Sequence, residues 1–333
     1  MLLKTVSWQR SCVYLCDLTY DTIILVSDTI PINVGFIGLG NMGAGMCLNI
    51  IRNSYNVIVH DINKEATLPA LEMGASWADS PKEVAQKSDV IFTSLPGPTE
   101  VEVVATGEDG IFEGIKNASA WVDLSTSSPQ LIRELHETFS SKGAAVLDAP
   151  VSGGVRGAEK GLLAIMVGGD ENIFLKLKPI FEAFGDKVTY TGEIGSGSIC
   201  KLMHNTVGYG MQMILSECLT LGVKAGVDAE TLVECIRNGS VGRGNLLNVT
   251  LPETYFQGKF DPPNFALRLA KKDVALALEL ARDYDVPMEA ATHAYNELTS
   301  SVNRGWGHLD SRISLLLQEE RSGNIEVRIP ETN

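Results

Sequence analysis

A short apolar run, Val34-Gly35-Phe36-Ile37, stops at a glycine, and glycines recur at Gly38, Gly40 and Gly43. Such a run, β-branched and aromatic and bounded by glycine, reads as a buried strand. The segment that follows opens with helical spacing at Met42, Met46 and Ile50. Few folds are open to a strand that meets a helix through G-x-G-x-x-G. The first glycine permits a tight turn, the second lets a pyrophosphate approach the backbone, and the third lets the helix pack on the strand. The helix N-terminus then offers unpaired N–H groups and a partial positive charge to phosphate. A second strand reads over Val57 to Val59, with Asp61 just beyond it, 23 positions after Gly38. A carboxylate there accepts hydrogen bonds from ribose hydroxyls and repels a 2′-phosphate. The pattern therefore predicts NAD, with NADP the secondary possibility because Lys64 lies close by.

Further strands are predicted at Val90 to Ser94, Ala120 to Leu124, Ala145 to Leu147 and Leu163 to Val167, with helical patterns at Pro81 to Gln86, Pro129 to Phe139 and Ile173 to Phe184. Alternating strands and helices imply an α/β class: an N-terminal Rossmann domain with a doubly wound, mainly parallel sheet. Strand signals stop near Gly197. Helices are predicted at Gly197 to Ala225, Ala229 to Asn238, Phe265 to Tyr284 and Met288 to Asn303, which makes the C-terminal domain all-α. The first of these is apolar on most faces and is expected to be buried. The expected organisation is an extension over 1–33, a cofactor domain over 34–196 and a helical substrate and oligomerisation domain over 197–333, with the boundary in the run Gly192 to Gly197.

The net charge of −14, without a run of Lys or Arg, gives phosphate no concentrated basic face, which excludes a nucleic-acid partner. No window holds the roughly 18 consecutive apolar residues of a membrane helix. The six cysteines have no framework spacing; Cys47, Cys200 and Cys218 read as reduced core thiols. Histidines are scattered and no cluster has metal-ligand spacing, so no metal is expected. The first 33 residues suit neither a signal peptide nor a transit peptide, since Asp17, Asp21 and Asp28 break their apolar runs. A cytoplasmic location follows, or a mitochondrial one for a eukaryotic source.

Five motifs in order resemble the β-hydroxyacid dehydrogenases, the family of 3-hydroxyisobutyrate dehydrogenase and, more distantly, 6-phosphogluconate dehydrogenase. They are Gly35 to Gly43, Ser94-Leu95-Pro96, Asp123 to Pro129, Asp148 to Gly154, and Gly197-x-x-x-Lys201-x-x-x-Asn205; Lys272-Asp273 adds a sixth point of likeness. The resemblance implies that Gly38, Leu39, Gly40, Asn41, Met42 and Gly43 cradle the cofactor. Leu95, Pro96, Glu100 and Thr126 would line its nicotinamide side, and Lys272 would reach back to it. It further implies that Ser152, Gly153 and Gly154 hold the substrate's acid group, that Asp273 shapes the pocket, and that Lys201 and Asn205 are catalytic.

The residues support that chemistry directly. Oxidising an alcohol needs a hydride acceptor, a base for the hydroxyl proton and a grip on the substrate. Lys201 opens a helix expected to be buried, where desolvation lowers an amine's pKa towards neutrality. Asn205, four residues on, shares its face. Ser152-Gly153-Gly154 offers a hydroxyl and unhindered backbone N–H groups to an anion, and Arg243 is a further candidate cation. The Tyr255-x-x-x-Lys259 spacing is read as coincidence, Cys200 as a small hydrophobe and His204, about 100° round the helix from Asn205, as a packed histidine. The expected function is NAD-dependent oxidation of a small β-hydroxy acid such as 3-hydroxyisobutyrate to its semialdehyde. Its alternatives are a semialdehyde reductase acting on tartronate or succinic semialdehyde and a non-catalytic cofactor-binding module. Lys201 argues against imine reductases, which usually lack that lysine. The apolar helices predict a homodimer or homotetramer, with the tail from Leu315 to Pro330 expected to pack across the interface.

Overall fold

The computed structural model describes residues 32–329. All but the last two residues of the extension expected over 1–33 lie outside them, as does Pro330. The elements run β1 (Asn33–Ile37), α1 (Gly43–Arg52), β2 (Asn56–His60), α2 (Leu68–Glu72), β3 (Ser76–Trp77), α3 (Pro81–Lys87), β4 (Val90–Thr93), α4 (Pro98–Thr106), α5 (Ile111–Gly114), β5 (Ala120–Asp123), α6 (Pro129–Ser140), β6 (Ala145–Asp148), β7 (Val151–Ser152), α7 (Gly154–Lys160), β8 (Leu163–Gly168), α8 (Glu171–Phe181) and β9 (Gly185–Gly192). They continue with α9 (Ser196–Lys224), α10 (Ala229–Asn238), α11 (Leu251–Glu253), α12 (Leu267–Asp283), α13 (Glu289–Asn303) and α14 (Leu316–Arg321).

The strands form one sheet in the order β3-β2-β1-β4-β5-β6-β8-β7, with β9 paired to β8. Strands β1 to β6 are parallel, and β8 enters antiparallel to β6 and β7. This is a doubly wound α/β sheet, and its order reverses between β1 and β4, where such sheets open a crevice at the carboxyl ends of the strands. Alternate residues feed opposite faces. Val34, Phe36, Val57, Val59, Val90 and Phe92 join the core under α1 and α8, while Ile37, Ile58, Ile91 and Trp121 join the core under α3 and α6. Helices α3, α6 and α8 start where Ser80, Ser128 and Asp170 accept a backbone N–H, and Pro81 and Pro129 occupy first turns in which a missing N–H costs nothing.

The chain divides into two compact units between Asn205 and Thr206, inside α9. The first turns of α9 stay with the sheet because β6 holds them. Both oxygens of Asp148 accept N–H groups there, from Gly195 at 2.8 Å and Ser198 at 2.6 Å.

The second unit is all helical among its described residues. Leu221, Ala281, Val286, Met288 and Ala291 form its core cluster, and Glu217 fixes the start of α13 by accepting from Ala290 and Ala291. The expected burial of α9 does not hold: Val207 is 57%, Tyr209 66% and Met213 54% exposed. Within one chain the tail packs only in part, with Ile325 60% and Ile329 53% exposed. Leu317 and Glu319 are buried in their own chain, Glu319 accepting from Tyr255 Oη at 2.6 Å and Arg328 Nη1 at 2.8 Å.

Candidate active site

At the reversal point β1 delivers Gly38 with φ 90°, and its N–H donates to His60 O at 3.1 Å. A side chain on Gly43 would run into the Gly38 carbonyl, so the turn closes only with glycine at both positions. Gly40 is the opposite case: a Cβ there would meet nothing within 4 Å, leaving the turn open to a ligand. Asn41 is exposed, Met42 half-buried, and no side chain caps the start of α1, where Ala44 N donates to Gly40 O at 3.0 Å. Asp61 reaches back into the turn. Its Oδ2 accepts from Leu39 N at 2.6 Å and its Oδ1 from Asn63 N at 2.8 Å, and each oxygen keeps lone pairs for a ribose. Lys64 is drawn aside, its Nζ lying 4.7 Å from the centre of the Trp77 ring. These residues fit a dinucleotide.

The loops after β4 and β5 form the neighbouring wall, held by a buried network. Asp123 Oδ1 accepts from Thr93 Oγ1 at 2.8 Å, Ser125 Oγ at 2.6 Å and Ser125 N at 3.2 Å. Trp121 Nε1 donates to Thr93 Oγ1, and Leu95 N donates to Ser125 Oγ at 2.9 Å. Asp123 thereby sets the backbone at Leu95, next to the exposed Pro96, while Thr126 and Glu100 present exposed side chains. Burial pushes the Asp123 carboxyl up to about 6, against the opposing effect of Ser125 and Thr93; its register partner Asp148 adds to the rise. The sequence motif marked this loop, but the network depends on strand register, which motif spacing does not give.

Lys201 lies in the second turn of α9 and is 8% exposed. Burial lowers its pKa, and among the described residues no carboxylate pairs with it to hold the charge. Asn205 follows one turn on and is half-buried. His204 is not packed, contrary to expectation. It is exposed, and its Nε2 lies 2.9 Å from Ser152 Oγ. Ser152 ends β7, and Gly153 and Gly154 continue with φ 140° and 64° and exposed backbones. The first unit thus joins Ser152 to His204, three residues along α9 from Lys201. Cys200 and Cys218 are exposed rather than core thiols, whereas Cys47 is buried.

The remaining candidates belong to the second unit. Lys272 and Asp273 are exposed on α12 and pair with each other at 2.8 Å. Arg243 is exposed in the loop after α10. Tyr255 is structural: it is 7% exposed, donates to Glu319, and is pushed up to about 12 by burial and then by that carboxylate. Among the described residues no group of His, Cys, Asp or Glu could hold a metal ion, and no helix is long and apolar enough to cross a membrane.

Comparison with known proteins matches this architecture along most of the chain. The profile of the NAD-binding domain of 6-phosphogluconate dehydrogenase covers residues 33–192, and that described as NAD-binding of NADP-dependent 3-hydroxyisobutyrate dehydrogenase covers 195–316. The 2-(hydroxymethyl)glutarate dehydrogenase of Eubacterium barkeri is 34% identical over 292 residues, 88% of this chain and 96% of that one. The mitochondrial 3-hydroxyisobutyrate dehydrogenase of Drosophila melanogaster is 34% identical over 301 residues, 87% of this chain and 90% of that one. Among solved structures, Mycobacterium tuberculosis 3-hydroxyisobutyrate dehydrogenase with L-serine is 29% identical with a TM-score of 0.61, covering 87% of this chain and all of that one.

Proposed function

The chain belongs to the β-hydroxyacid dehydrogenases, NAD(P)-dependent oxidoreductases, and from that premise we propose that it oxidises an acid of the form HO–CH2–CH(R)–COO⁻ to the semialdehyde with NAD. The three compounds in the relatives' names share that skeleton: R is methyl in 3-hydroxyisobutyrate, carboxyethyl in 2-(hydroxymethyl)glutarate and ammonium in L-serine. The methyl compound remains the best single choice. The observation that carries the reading is Lys201, buried, without an anionic partner among the described residues, and three residues before His204, whose ring meets the half-buried Ser152.

In this reading the cofactor supplies the hydride acceptor. Lys201 Nζ takes the hydroxyl proton, and Asn205 orients the hydroxyl. Ser152, Gly153 and Gly154 hold the carboxylate through one hydroxyl and open backbone N–H groups. The residues from Gly38 to Gly43 receive the pyrophosphate, and Asp61 receives the ribose and disfavours a 2′-phosphate. Leu95, Pro96, Glu100 and Thr126 line the nicotinamide side. Lys272 serves the cofactor and Asp273 the substrate pocket, with the functional division between cofactor and helical domains drawn at 196–197, ahead of the turns of α9 that Asp148 anchors. The exposed apolar side chains of α9 support a homodimer or homotetramer. The unpaired thiols Cys47, Cys200, Cys218 and Cys235 support a reducing compartment, cytoplasmic or, for a eukaryotic source, mitochondrial.

NADH formation with a panel of hydroxymethyl acids tests this, beside Lys201→Ala. We expect one acid to be turned over and the variant to lose about 10²- to 10⁴-fold in kcat, the size of a general base's contribution, with NAD binding intact. Because the base works as the neutral amine, oxidation should rise with pH to a plateau reached below the ordinary lysine range, and aldehyde reduction should fall over the same interval. No turnover of any acid, with reduction of a semialdehyde instead, would replace this reading.

A further inference from the structure

Strand β3 has two residues and lies at the edge of the sheet, where Trp77 pairs with Val59 of β2. So short an edge strand fixes a side chain weakly by itself, yet the half-buried Trp77 is held firmly. Its Nε1 donates to Asp79 Oδ1 at 2.6 Å, and Asp79 is fixed in turn because its N–H donates to Glu83 Oε2 at 2.6 Å. The His60 imidazole packs on the indole with ring centres 5.4 Å apart, and its Nδ1 donates to Ala78 O at 2.9 Å. The ring so placed takes the Lys64 ammonium 4.7 Å from its centre. Lys64 itself has little backbone freedom. Asn63 Oδ1 accepts from Glu65 N at 3.2 Å where the short 3₁₀ turn Lys64–Thr67 begins, and the buried Thr67 hydroxyl donates to Lys64 O at 2.7 Å. Asp61 Oδ1 accepts from Asn63 N, so Asp61 and Lys64 stand on one compact turn. The side chain alone decides where the ammonium goes.

We infer that Trp77 is a specificity-determining residue for the cofactor: by keeping the Lys64 ammonium on its ring, it leaves Asp61 unopposed and so favours a free ribose 2′-hydroxyl over a 2′-phosphate. The inference rests on the NAD preference proposed above. An ammonium on the long, flexible lysine stem is a point charge that suits a phosphate. Beside Asp61 it would offset the repulsion between that carboxylate and a 2′-phosphate and supply a counter-charge as well. A cation over an indole face is attracted by the ring's quadrupole, and Trp offers the strongest such face among the side chains. The Asp79 carboxylate on the indole N–H polarises the ring and makes its face more negative. A 2′-phosphate that recruits Lys64 must first break this contact, whereas a 2′-hydroxyl asks nothing of the lysine. The contact therefore acts against one cofactor and is neutral to the other.

The test is calorimetric binding of 5′-AMP and of adenosine 2′,5′-bisphosphate to the full chain, for wild type, Trp77→Leu, Lys64→Met and the double variant. The two nucleotides differ only in the 2′-phosphate, and 5′-AMP reports whether the cofactor turn is intact. We expect Trp77→Leu to bind 5′-AMP as wild type does and to bind the bisphosphate about two- to fivefold more tightly, the strength of an exposed cation–π contact given up. In the Lys64→Met background the same replacement should bring no gain, which makes the two residues a coupled pair. Trp77→Phe, which keeps a weaker ring, should gain less, and it carries the comparison if Trp77→Leu binds neither nucleotide. A wild type that prefers 5′-AMP, with no gain on loss of the ring or a gain that persists without Lys64, overturns the inference and leaves the NAD preference standing. A wild type that prefers the bisphosphate, yet shows the Lys64-dependent gain, overturns the NAD preference and supports the inference. A wild type that binds neither nucleotide overturns both.

Discussion

At Asp123 one carboxylate oxygen collects three donors while the other is buried with no partner. The carboxyl is pushed up from 3.8 to about 6, so the folded chain holds this proton more tightly than the unfolded one. Its contribution to stability is complete below the unfolded value and is lost as pH rises through about 6, a change of about 3 kcal/mol. Asp123→Asn keeps the acceptor and removes the titration. Urea unfolding at a series of pH values should show wild type losing stability relative to the variant between pH 4 and pH 7, and parallel curves would remove the argument. Asp61 carries the other prediction at this scale. With its carboxylate gone, Asp61→Ser should weaken NAD and strengthen NADP, moving the ratio of their dissociation constants by about tenfold or more, the worth of one charge-assisted contact. The glycines and Asp61 were legible because their spacing along the chain is itself the signal. Asp123 and His204 were not, because each acquires its meaning from a partner distant in sequence. The partner of His204, Ser152, lies 52 positions away and leaves no mark in the spacing along α9.

Helices beginning Ser80-Pro81 and Ser128-Pro129 were readable from cap and proline alone, and six strands from their apolar runs. Strand β9 was missed. In Gly185–Gly192 only Val188 and Tyr190 are apolar, and the strand exists because β8 pairs with it. Strands β3 and β7 have two residues each, too few to show a period. Helix α9 was legible in extent, but its anchor was not. Asp148 holds that helix from a strand 47 and 50 positions away through two buried backbone bonds. Asp148→Ala leaves both N–H groups unmatched, at about 1–3 kcal/mol each. Thermal melting should show a loss of several kcal/mol, and a Tm within a degree or so of wild type would mean that water replaces the carboxylate.

Exposed apolar side chains along α9 and the loop after α10 set the behaviour of the whole molecule; Leu247 is 65% exposed and Val241 63%. The sequence pattern says that these faces avoid water, but not what covers them. Light scattering should report a dimer or tetramer, and replacing Tyr209 and Met213 by Glu should yield monomers; a monomeric wild type would end that reading. The position of the compact-unit boundary within α9 also limits how this chain can be recombined with its relatives. A chimera joined between Asn205 and Thr206 splices two halves of one rod, and any mismatch in helical phase is passed to every residue beyond the junction. Crossing over before Ser196 imports a new rod, and Asp148 then keeps the Gly195 N–H but depends on the incoming first turn for the one that Ser198 gives. The serviceable seam is the turn at Gly226, where the helix has ended and φ is 96°. Exchange there trades the later helices alone, while Lys201, the Asp148 anchor of its helix and the Ser152–His204 contact are inherited together.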